Sequence, residues 1–395
     1  MKNITRSRLE TLLPHAGQGF ADGEPLVAAI VQSTTFCREG LESGSQHCYS
    51  RQSNPTVTAL EETLGSLETA LPAVCYSTGL AAESALFLTL LSAGDHVICS
   101  RALYGGTTRI LQQVFSRLGV ETDFVDTTCP EIVQSSLRKN TRLVFLETPA
   151  NPTLDVTDLR AISDLAHRAG VLVVVDNTFL TPLLQQPLEF GADVSVYSTT
   201  KFMEGHSVAL GGALVTRDKK LRERLCFLRT CTGGIQTPFN AWLTLQGLKT
   251  LGVRLERQCA SAQNVSEWLA SHPATARVHY PGLSQGESRV VADEQHLGAH
   301  GAVLSFELKT GAVGARRLVE GLSLCRLVEH VGGVETLITH SASMTHAGVA
   351  PEEREKVGVT EGLLRISVGL EPAESIIADL EGALAVGFFD GSAGA

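Results

Sequence analysis

A lysine and an aspartate each follow an apolar run of this 395-residue chain. Asp176 comes directly after 171–175, a run of valines and one leucine. A carboxylate at the end of a buried strand is costly unless a cation or a donor meets it. Because the carboxyl ends of parallel strands line the ligand crevice of an open sheet, Asp176 is a candidate ligand-binding residue. The alternative is an aspartate that caps the next turn.

Lys201 follows the apolar run 194–197, after three hydroxyl residues at 198–200. Burial lowers the pKa of a lysine, which makes the free amine that a Schiff base requires available. The alternative is a surface lysine whose stem covers apolar neighbours. Lys201 and Asp176 together are the two groups that pyridoxal phosphate needs, one for its aldehyde and one for its ring nitrogen.

The phosphate of such a cofactor needs hydrogen-bond donors. Gly79 lies in the segment 77–83, which follows an apolar stretch and opens a predicted helix. Glycine permits close approach of the backbone, and a helix N-terminus presents oriented N–H groups to an anion. The hydroxyls of Ser198 and Thr200, just before the lysine, are further donors.

The elements that would position these residues alternate along the chain. Apolar runs predict strands at 97–99, 143–146, 171–175, 194–197, 212–215, 302–308 and 363–368. Helices are predicted at 80–92, 106–118, 157–169 and, as one long stretch, 241–269. This alternation favours an α/β fold with a mostly parallel sheet covered on both faces. We expect an irregular N-terminal arm (1–52), a large α/β domain (53–240) and a smaller α+β domain (241–395).

Composition excludes several other classes. The net charge is −10 and no basic tract stands out, so we expect no nucleic-acid partner. No apolar run reaches the ~18 residues of a membrane span, and residues 1–10 lack the apolar core of a signal peptide. The nine cysteines are scattered and none forms a Cys-x-x-Cys pair. We therefore expect neither disulfides nor a metal site, and a cytoplasmic location.

The chain resembles the pyridoxal-phosphate enzymes of cysteine and methionine metabolism (trans-sulfuration), closest in kind to cystathionine γ-synthase and γ-lyase. The segments that carry the resemblance are 49–56, 77–80, 103–107, 147–152, 175–179, 198–202, 332–337 and 364–371. It implies a PLP-dependent transferase fold of type I, like that of aspartate aminotransferase, with a mixed, mostly parallel sheet and a smaller α+β C-terminal domain. It also implies a homo-oligomer, a catalytic dimer usually paired into a tetramer.

The resemblance assigns a role to particular residues. Lys201 is the Schiff-base lysine, and Tyr104 stacks on the cofactor and assists proton transfer. The cofactor's remaining contacts are Asp176 at the ring nitrogen, Asn151 near the ring hydroxyl, and Gly79, Leu80, Ser198 and Thr200 at the phosphate. Tyr49 and Arg51 reach the phosphate of the neighbouring subunit's cofactor. Arg365 binds the substrate carboxylate with its bidentate fork.

Three residues in or just before the resembling segments bear on the substrate. Glu329 stands where enzymes that handle cystathionine carry a glutamate, and it would meet a distal ammonium group; the alternative is a solvated glutamate. His330 replaces a serine that helps to hold the carboxylate, so it either donates to that carboxylate, brings a titratable group near it, or is a tolerated replacement. Methionine γ-lyases carry a cysteine where this chain has Gly106.

The expected reaction is γ-replacement on an O-acyl-L-homoserine by L-cysteine, which yields cystathionine. The alternatives are γ-elimination of the cystathionine γ-lyase type and an O-acylhomoserine sulfhydrylase. An aminotransferase of related fold and a catalytically silent cofactor-binding protein are two further classes. All of them would act on or bind small amino-acid ligands.

Overall fold

The computed structural model describes residues 5–19, 22–23, 25–348 and 351–389. The α-helices in these ranges are α1 (Arg6–Leu12), α2 (Pro55–Leu67), α3 (Gly79–Leu90), α4 (Gly105–Gln113), α5 (Pro130–Ser136), α6 (Leu159–Arg168), α7 (Thr181–Leu184), α8 (Lys219–Thr232), α9 (Pro238–Leu248), α10 (Leu251–Ser271), α11 (Glu287–Gln295), α12 (Gly311–Gly321), α13 (Pro351–Lys356) and α14 (Ala373–Phe389). The strands are β1 (Val74–Tyr76), β2 (His96–Ser100), β3 (Glu121–Val125), β4 (Thr141–Glu147), β5 (Leu172–Asp176), β6 (Val194–Tyr197), β7 (Gly212–Thr216), β8 (Thr275–His279), β9 (Val303–Leu308), β10 (Arg326–Leu327), β11 (Leu337–His340) and β12 (Leu363–Ser367).

The larger sheet has the strand order β1-β7-β6-β5-β4-β2-β3. Every pair from β6 to β3 is parallel, whereas β7 runs antiparallel to both of its neighbours. Parallel strands need long crossovers, and the helices between them supply these connections. The predicted mixed, mostly parallel sheet is therefore confirmed.

Alternate residues of the central strand β5 pack on opposite faces of the sheet. Val173 and Val175 belong to one hydrophobic core, whereas Val174 belongs to another on the other side. All three valines are fully buried. Because both faces of β5 are apolar, its sequence is a continuous hydrophobic run rather than an alternating one. This burial fixes the end of the strand, where Asp176 lies.

The smaller C-terminal sheet has the order β10-β11-β12-β9-β8 and is mostly antiparallel. A third core lies between this sheet and helices α10, α12 and α14. Strand β12 occupies the centre of the sheet and carries Arg365, which pairs in register with Ser305 of β9 and Thr339 of β11. The predicted smaller α+β region is confirmed in this respect.

Two local expectations were wrong. The N-terminal arm is not wholly irregular, because Thr5 caps helix α1 and Leu9 is buried in the first core. The long helix expected at 241–269 is two helices, α9 and α10, which are separated at Lys249 and Thr250. The first core draws residues from all three predicted segments, and the division into an arm and two domains stays a prediction.

No helix in the described ranges is long and apolar enough to cross a membrane.

Candidate active site

A cavity of about 280 Å³ lies at the carboxyl ends of β4, β5 and β6, facing strand β12 of the smaller sheet. Most of the residues predicted from the sequence line it together. They are Gly79, Leu80, Tyr104, Asn151, Asp176, Ser198, Thr200, Lys201, Glu329, His330 and Arg365. Residues that are up to 286 positions apart in the chain, Gly79 and Arg365, thus meet in one pocket.

Asp176 is the last residue of β5, which is hydrogen-bonded to strands on both sides. Its Oδ1 accepts the backbone N–H of Thr178 at 2.9 Å. Burial raises the pKa of this carboxyl, and the hydrogen bonds from Thr178 oppose the shift. A buried carboxylate with so little compensation is suited to a cationic partner, and the protonated nitrogen of a pyridine ring is such a partner.

Lys201 lies in a turn that follows β6, where its N–H donates to the Ser198 carbonyl at 3.2 Å. Arg254 of α10 holds the next residue, because its Nη1 donates to the Phe202 carbonyl at 2.9 Å. Burial, together with the charge of Arg365, lowers the pKa of Lys201 to about 8. A substantial fraction of this amine is therefore neutral near physiological pH, as attack on an aldehyde requires.

The predicted phosphate cradle begins helix α3. Thr78 caps the helix by accepting the Ala81 N–H at 3.0 Å, whereas the N–H groups of the first two residues, Gly79 and Leu80, have no partner within the helix. A Cβ at Gly79 would lie only 3.0 Å from the Cβ of Ser198, so the two segments approach closely because residue 79 is glycine. These donors fit a phosphate group.

The two predicted hydroxyl donors differ. Thr200 Oγ1 already donates to the Gly211 carbonyl at 3.1 Å and accepts the Gly211 N–H at 3.0 Å. Ser198 Oγ makes no hydrogen bond to the described residues. Ser198 is therefore the better placed of the two for a phosphate, and the contact of Thr200 would require it to exchange its bond to Gly211.

Tyr104 lies just before α4, and its backbone N–H donates to Glu147 Oε2 at 2.6 Å. The ring is partly exposed to the cavity, and burial of the rest raises the pKa of its hydroxyl. A Cβ at Gly106 would lie 2.3 Å from Tyr104 Cε1. Glycine at 106 therefore permits the observed position of the Tyr104 ring.

Arg365 is a cation inside the pocket. Its Nη1 donates to Asn151 Oδ1 at 2.8 Å and its Nη2 to Thr339 Oγ1 at 3.1 Å. Burial lowers its pKa to about 10, so the guanidinium stays charged at neutral pH. Its Nε is buried without a hydrogen-bond partner among the described residues, which leaves a donor for an anionic ligand. This arrangement fits the predicted binding of a substrate carboxylate.

Glu329 and His330 line the pocket from the loop between β10 and β11. Glu329 is exposed to solvent, whereas His330 is half-buried and contacts Lys201, with its Nδ1 3.1 Å from the lysine Nζ. Burial and the charges of Lys201 and Arg365 lower the pKa of His330 to about 4. His330 is therefore neutral at physiological pH, and its Nε2 is buried without a hydrogen-bond partner in the part of the chain that the structure describes.

The pocket also contains acidic groups to which sequence reasoning assigned no role. Glu83 is 3% exposed, and its Oε2 accepts the Thr107 hydroxyl at 2.8 Å. Burial and the nearby Asp176 raise its pKa to about 8. Burial also raises the pKa of Glu147. A sequence feature that could have indicated Glu83 as a pocket residue is its position one helical turn after Gly79, which places both residues on one face of α3.

Tyr49 and Arg51 do not line this pocket. Arg51 Nη1 donates to the Thr230 carbonyl at 2.5 Å, and the guanidinium lies 5.4 Å from the centroid of the Tyr49 ring. Tyr49 is 44% exposed. Their predicted contact with a neighbouring subunit's cofactor stays a prediction.

Known proteins resemble this chain over almost its full length. The Cys/Met metabolism PLP-dependent enzyme family matches residues 10–385. An L-methionine gamma-lyase of Fusobacterium nucleatum subsp. polymorphum is 43% identical over 90% of this chain and 92% of its own. A cystathionine beta-lyase of Bacillus subtilis is also 43% identical, over 95% and 96% of the two chains.

A solved structure also matches this chain over almost its full length. Cystathionine gamma synthase from Xanthomonas oryzae pv. oryzae, in complex with aminoacrylate and cysteine, is 38% identical. The two structures superpose with a TM-score of 0.92 over 96% of this chain and 98% of the other. The fold of PLP-dependent transferases that the resemblance implied is thus confirmed. On these matches, the protein belongs to the Cys/Met metabolism PLP-dependent enzyme family, and its cofactor is pyridoxal phosphate.

Proposed function

We propose that this PLP-dependent trans-sulfuration enzyme catalyses γ-replacement on an O-acyl-L-homoserine by L-cysteine. The observation that carries the proposal is the placement of opposite charges in one pocket. Arg365 is buried within the pocket and Glu329 is exposed, yet both line it. A guanidinium suits the α-carboxylate of the amino acid that reacts, and a carboxylate suits the ammonium group of a second amino acid.

The chain's own groups divide the work as follows. Bound pyridoxal phosphate supplies an electron sink for negative charge on the substrate carbons. Arg365 orients the substrate carboxylate, and Asp176 keeps the ring nitrogen protonated. Lys201 Nζ takes the proton from the substrate α carbon and returns protons further along the substrate. The Tyr104 hydroxyl assists proton transfer near the departing group.

Cleavage of cystathionine by γ-elimination is the second candidate. The names of the relatives support a lyase in general, and one of them is a cystathionine gamma-lyase of Bacillus subtilis that is 40% identical. Gly106 counts against methionine as the substrate, because the resemblance places a cysteine there in methionine γ-lyases. An O-acylhomoserine sulfhydrylase would use sulfide, which has no ammonium group for Glu329 to meet.

Product analysis separates these reactions. Purified protein is incubated with O-succinyl-, O-acetyl- and O-phosphohomoserine, each with cysteine, with sulfide or alone, and with cystathionine alone. Cystathionine formed from an ester and cysteine supports the proposal. Formation of 2-oxobutanoate or pyruvate from cystathionine as the main reaction would replace it with a lyase. Transfer of the amino group to a keto acid would indicate an aminotransferase. Protein that carries the coloured cofactor but converts none of these substrates would indicate a silent binding protein.

A variant of Glu329 tests the observation itself. Glu329→Gln should raise KM for cysteine about threefold to tenfold, because an amide meets an ammonium group less strongly than a carboxylate does. KM for the homoserine ester should stay unchanged. Glu320→Gln, an exposed glutamate in α12, is the matched control. An unchanged KM for cysteine would contradict the role of Glu329.

We also propose that the enzyme works as a catalytic homodimer, two of which pair into a tetramer. The support is that Tyr49 and Arg51 lie outside the pocket of their own chain. The cytoplasmic location is likewise a proposal that rests on the cysteine content.

A further inference from the structure

Lys201 and His330 bring two basic nitrogens together. Lys201 comes from the turn after β6 and His330 from the loop between β10 and β11, so the contact joins the larger sheet to the smaller one. The lysine Nζ lies 3.1 Å from the imidazole Nδ1. His330 is the only hydrogen-bond partner that the described part of the chain offers to Nζ.

When Lys201 is protonated, the contact fixes which imidazole nitrogen carries hydrogen. A protonated lysine has three donors and no lone pair, so the imidazole Nδ1 must accept. The hydrogen of the neutral imidazole is then on Nε2, which is buried and has no partner within the described residues. A protonated imidazole is disfavoured, because the cations of Lys201 and Arg365 both face it and burial lowers its pKa.

We propose that His330 is a positioning residue for Lys201, holding the lysine ammonium through Nδ1 while the lysine carries the proton taken from the substrate. The proposal rests on the role assigned to Lys201 under the proposed function. In that step the substrate Cα–H bond breaks and an Nζ–H bond forms. The electron pair stays with the substrate, and no further reactant is needed.

The surroundings of the pair make this acceptor necessary. The free lysine ammonium would otherwise be mostly buried without a partner, and an uncompensated charge in such a place is costly. Arg365 on β12 repels the ammonium, whereas Glu329 of the same loop and Asp176 on β5 line the pocket as carboxyl groups. None of these carboxyl groups forms a hydrogen bond to Nζ, so the neutral imidazole is the group that directs the lysine.

Two substitutions separate the acceptor atom from the bulk of the ring. The amide oxygen of His330→Asn takes a place close to that of Nδ1 and accepts hydrogen bonds. His330→Leu has a similar size and no acceptor. Both variants are measured as cofactor-loaded protein. If His330→Leu does not fold, His330→Ala is used in its place.

Two measurements apply to each variant. The first is exchange of the α hydrogen of L-alanine with deuterium from the solvent, followed by NMR. Alanine has no β or γ leaving group, so the exchange depends on Lys201 and not on whether the enzyme is a synthase or a lyase. The second is the pH midpoint of the cofactor's visible absorbance, which responds to the proton on Nζ and requires no turnover.

We expect His330→Leu to lose about tenfold in exchange rate, since the charge-assisted hydrogen bond to the free ammonium is lost. The absorbance midpoint should also fall, because the lone pair of Nδ1 no longer faces the positive charge on Nζ. His330→Asn should stay within about twofold of the parent in exchange rate, because it restores the acceptor. Parent-like behaviour of the leucine variant would overturn the proposal. Equal losses in the asparagine and leucine variants would also overturn it, because the acceptor atom would then not matter.

A further variant keeps this test separate from the assignment of Lys201. Lys201→Ala should abolish exchange and the absorbance titration. If it retained both, the assigned role of Lys201 would be wrong, whatever His330 does. Loss in Lys201→Ala combined with parent-like His330→Leu would instead retain Lys201 and reject His330 alone.

Discussion

At the scale of single residues, the pocket is a set of opposed buried charges. Asp176, Glu83 and Glu147 are all buried carboxyl groups, and burial raises the pKa of each. Lys201 and Arg365 are the cations that face the same cavity. Because the acidic groups are incompletely paired within the chain, the pocket is prepared for a ligand that carries a positive centre, as the ring nitrogen of the cofactor does.

Glu83 should make the cofactor-free protein less stable as the pH rises. Its pKa is about 8 when folded, against 4.5 for an ordinary glutamate, so between these values the folded state binds the extra proton. The free energy of unfolding then falls by up to about 1.4 kcal/mol per pH unit from this group. Glu83→Gln removes this loss. We expect the free energy of unfolding of the variant, measured in urea, to increase relative to that of the parent from about pH 5 to about pH 8.

The difference between variant and parent isolates Glu83 from the other buried acids. Glu62→Gln, an exposed glutamate in α2, is the matched control. A Glu83→Gln curve that runs parallel to that of the parent at every pH would show that Glu83 does not hold the extra proton.

Gly106 should control the position of the Tyr104 ring. In Gly106→Ala the new methyl group would overlap Tyr104 Cε1, which lies 2.3 Å from the ideal Cβ position, so the ring must shift. We expect cofactor binding to weaken about threefold to tenfold, the worth of a stacked aromatic contact. Titration of the visible absorbance with added pyridoxal phosphate measures this loss.

The control for this substitution is Gly382→Ala in α14, where no atom of the described chain lies within 4 Å of the added methyl apart from the neighbouring residues and the backbone of the helix itself. It should leave cofactor binding unchanged. If Gly106→Ala binds the cofactor as the parent does, Tyr104 moves without cost and the predicted stacking is wrong.

Part of the pocket could be predicted from residues alone. Lys201 and Asp176 each follow an apolar run, so a strand end was their natural place and their sheet neighbours could be anticipated. His330 and Glu83 differ in this respect. No local pattern indicates that the loop after β10 reaches Lys201, or that Thr107 of α4 faces Glu83, because both contacts depend on tertiary packing between distant segments.

At the scale of elements, a buried ion pair joins α8 to α2 and β1. Arg229 of α8 contacts Glu61 of α2, and both side chains are almost fully buried. Arg229 Nη1 also donates to the Cys75 carbonyl at 2.9 Å, while Glu61 Oε1 accepts the Cys75 N–H at 3.0 Å. The two side chains thus complete the backbone bonding of the edge strand β1, which precedes the phosphate cradle.

Arg229→Met should therefore destabilise the protein strongly. It leaves the Glu61 carboxylate buried without its cation, and removal of one partner of a buried pair costs about 3–5 kcal/mol. The double variant Arg229→Met, Glu61→Gln should recover much of that loss, because no charge then remains unpaired. Urea unfolding of the parent and the variants measures both effects. Equal losses in the single and double variants would contradict the ion-pair explanation.

The elements were predictable to the extent that periodicity determines them. The predicted strand at 194–197 coincides with β6, and that at 171–175 differs from β5 by one residue at each end. The direction of β7 could not be predicted, because its apolar run is compatible with either direction. The break between α9 and α10 could not be predicted from its own residues either, because Lys249 and Thr250 are neither glycine nor proline.

At the scale of the whole molecule, one chain supplies a pocket but not every predicted contact of the cofactor. Arg51 lies outside the pocket of its own chain, and its guanidinium is directed to the Thr230 carbonyl. In a two-fold symmetric dimer each subunit can complete the site of the other. The proposed dimer therefore makes Arg51 and Lys201 of different chains members of one active site.

Mixing two inactive variants should restore activity. Lys201→Ala lacks the catalytic amine but keeps Arg51, whereas Arg51→Ala keeps the amine. In a mixed dimer, one of the two sites combines Lys201 of one chain with Arg51 of the other. If the subunits exchange at random in an equal mixture, about a quarter of all sites are complete.

We expect about a quarter of the parent's activity after the variants are co-expressed, with native mass spectrometry to verify that mixed dimers form. Each variant alone, and two separately purified variants kept from exchanging, serve as controls. Mixed dimers without activity would place Arg51 in the site of its own chain. An Arg51→Ala variant that is fully active by itself would remove Arg51 from the site altogether. Restored activity would exclude both of these alternatives, Arg51 in the site of its own chain and Arg51 outside the site. Only a site built from two chains regains both Lys201 and Arg51.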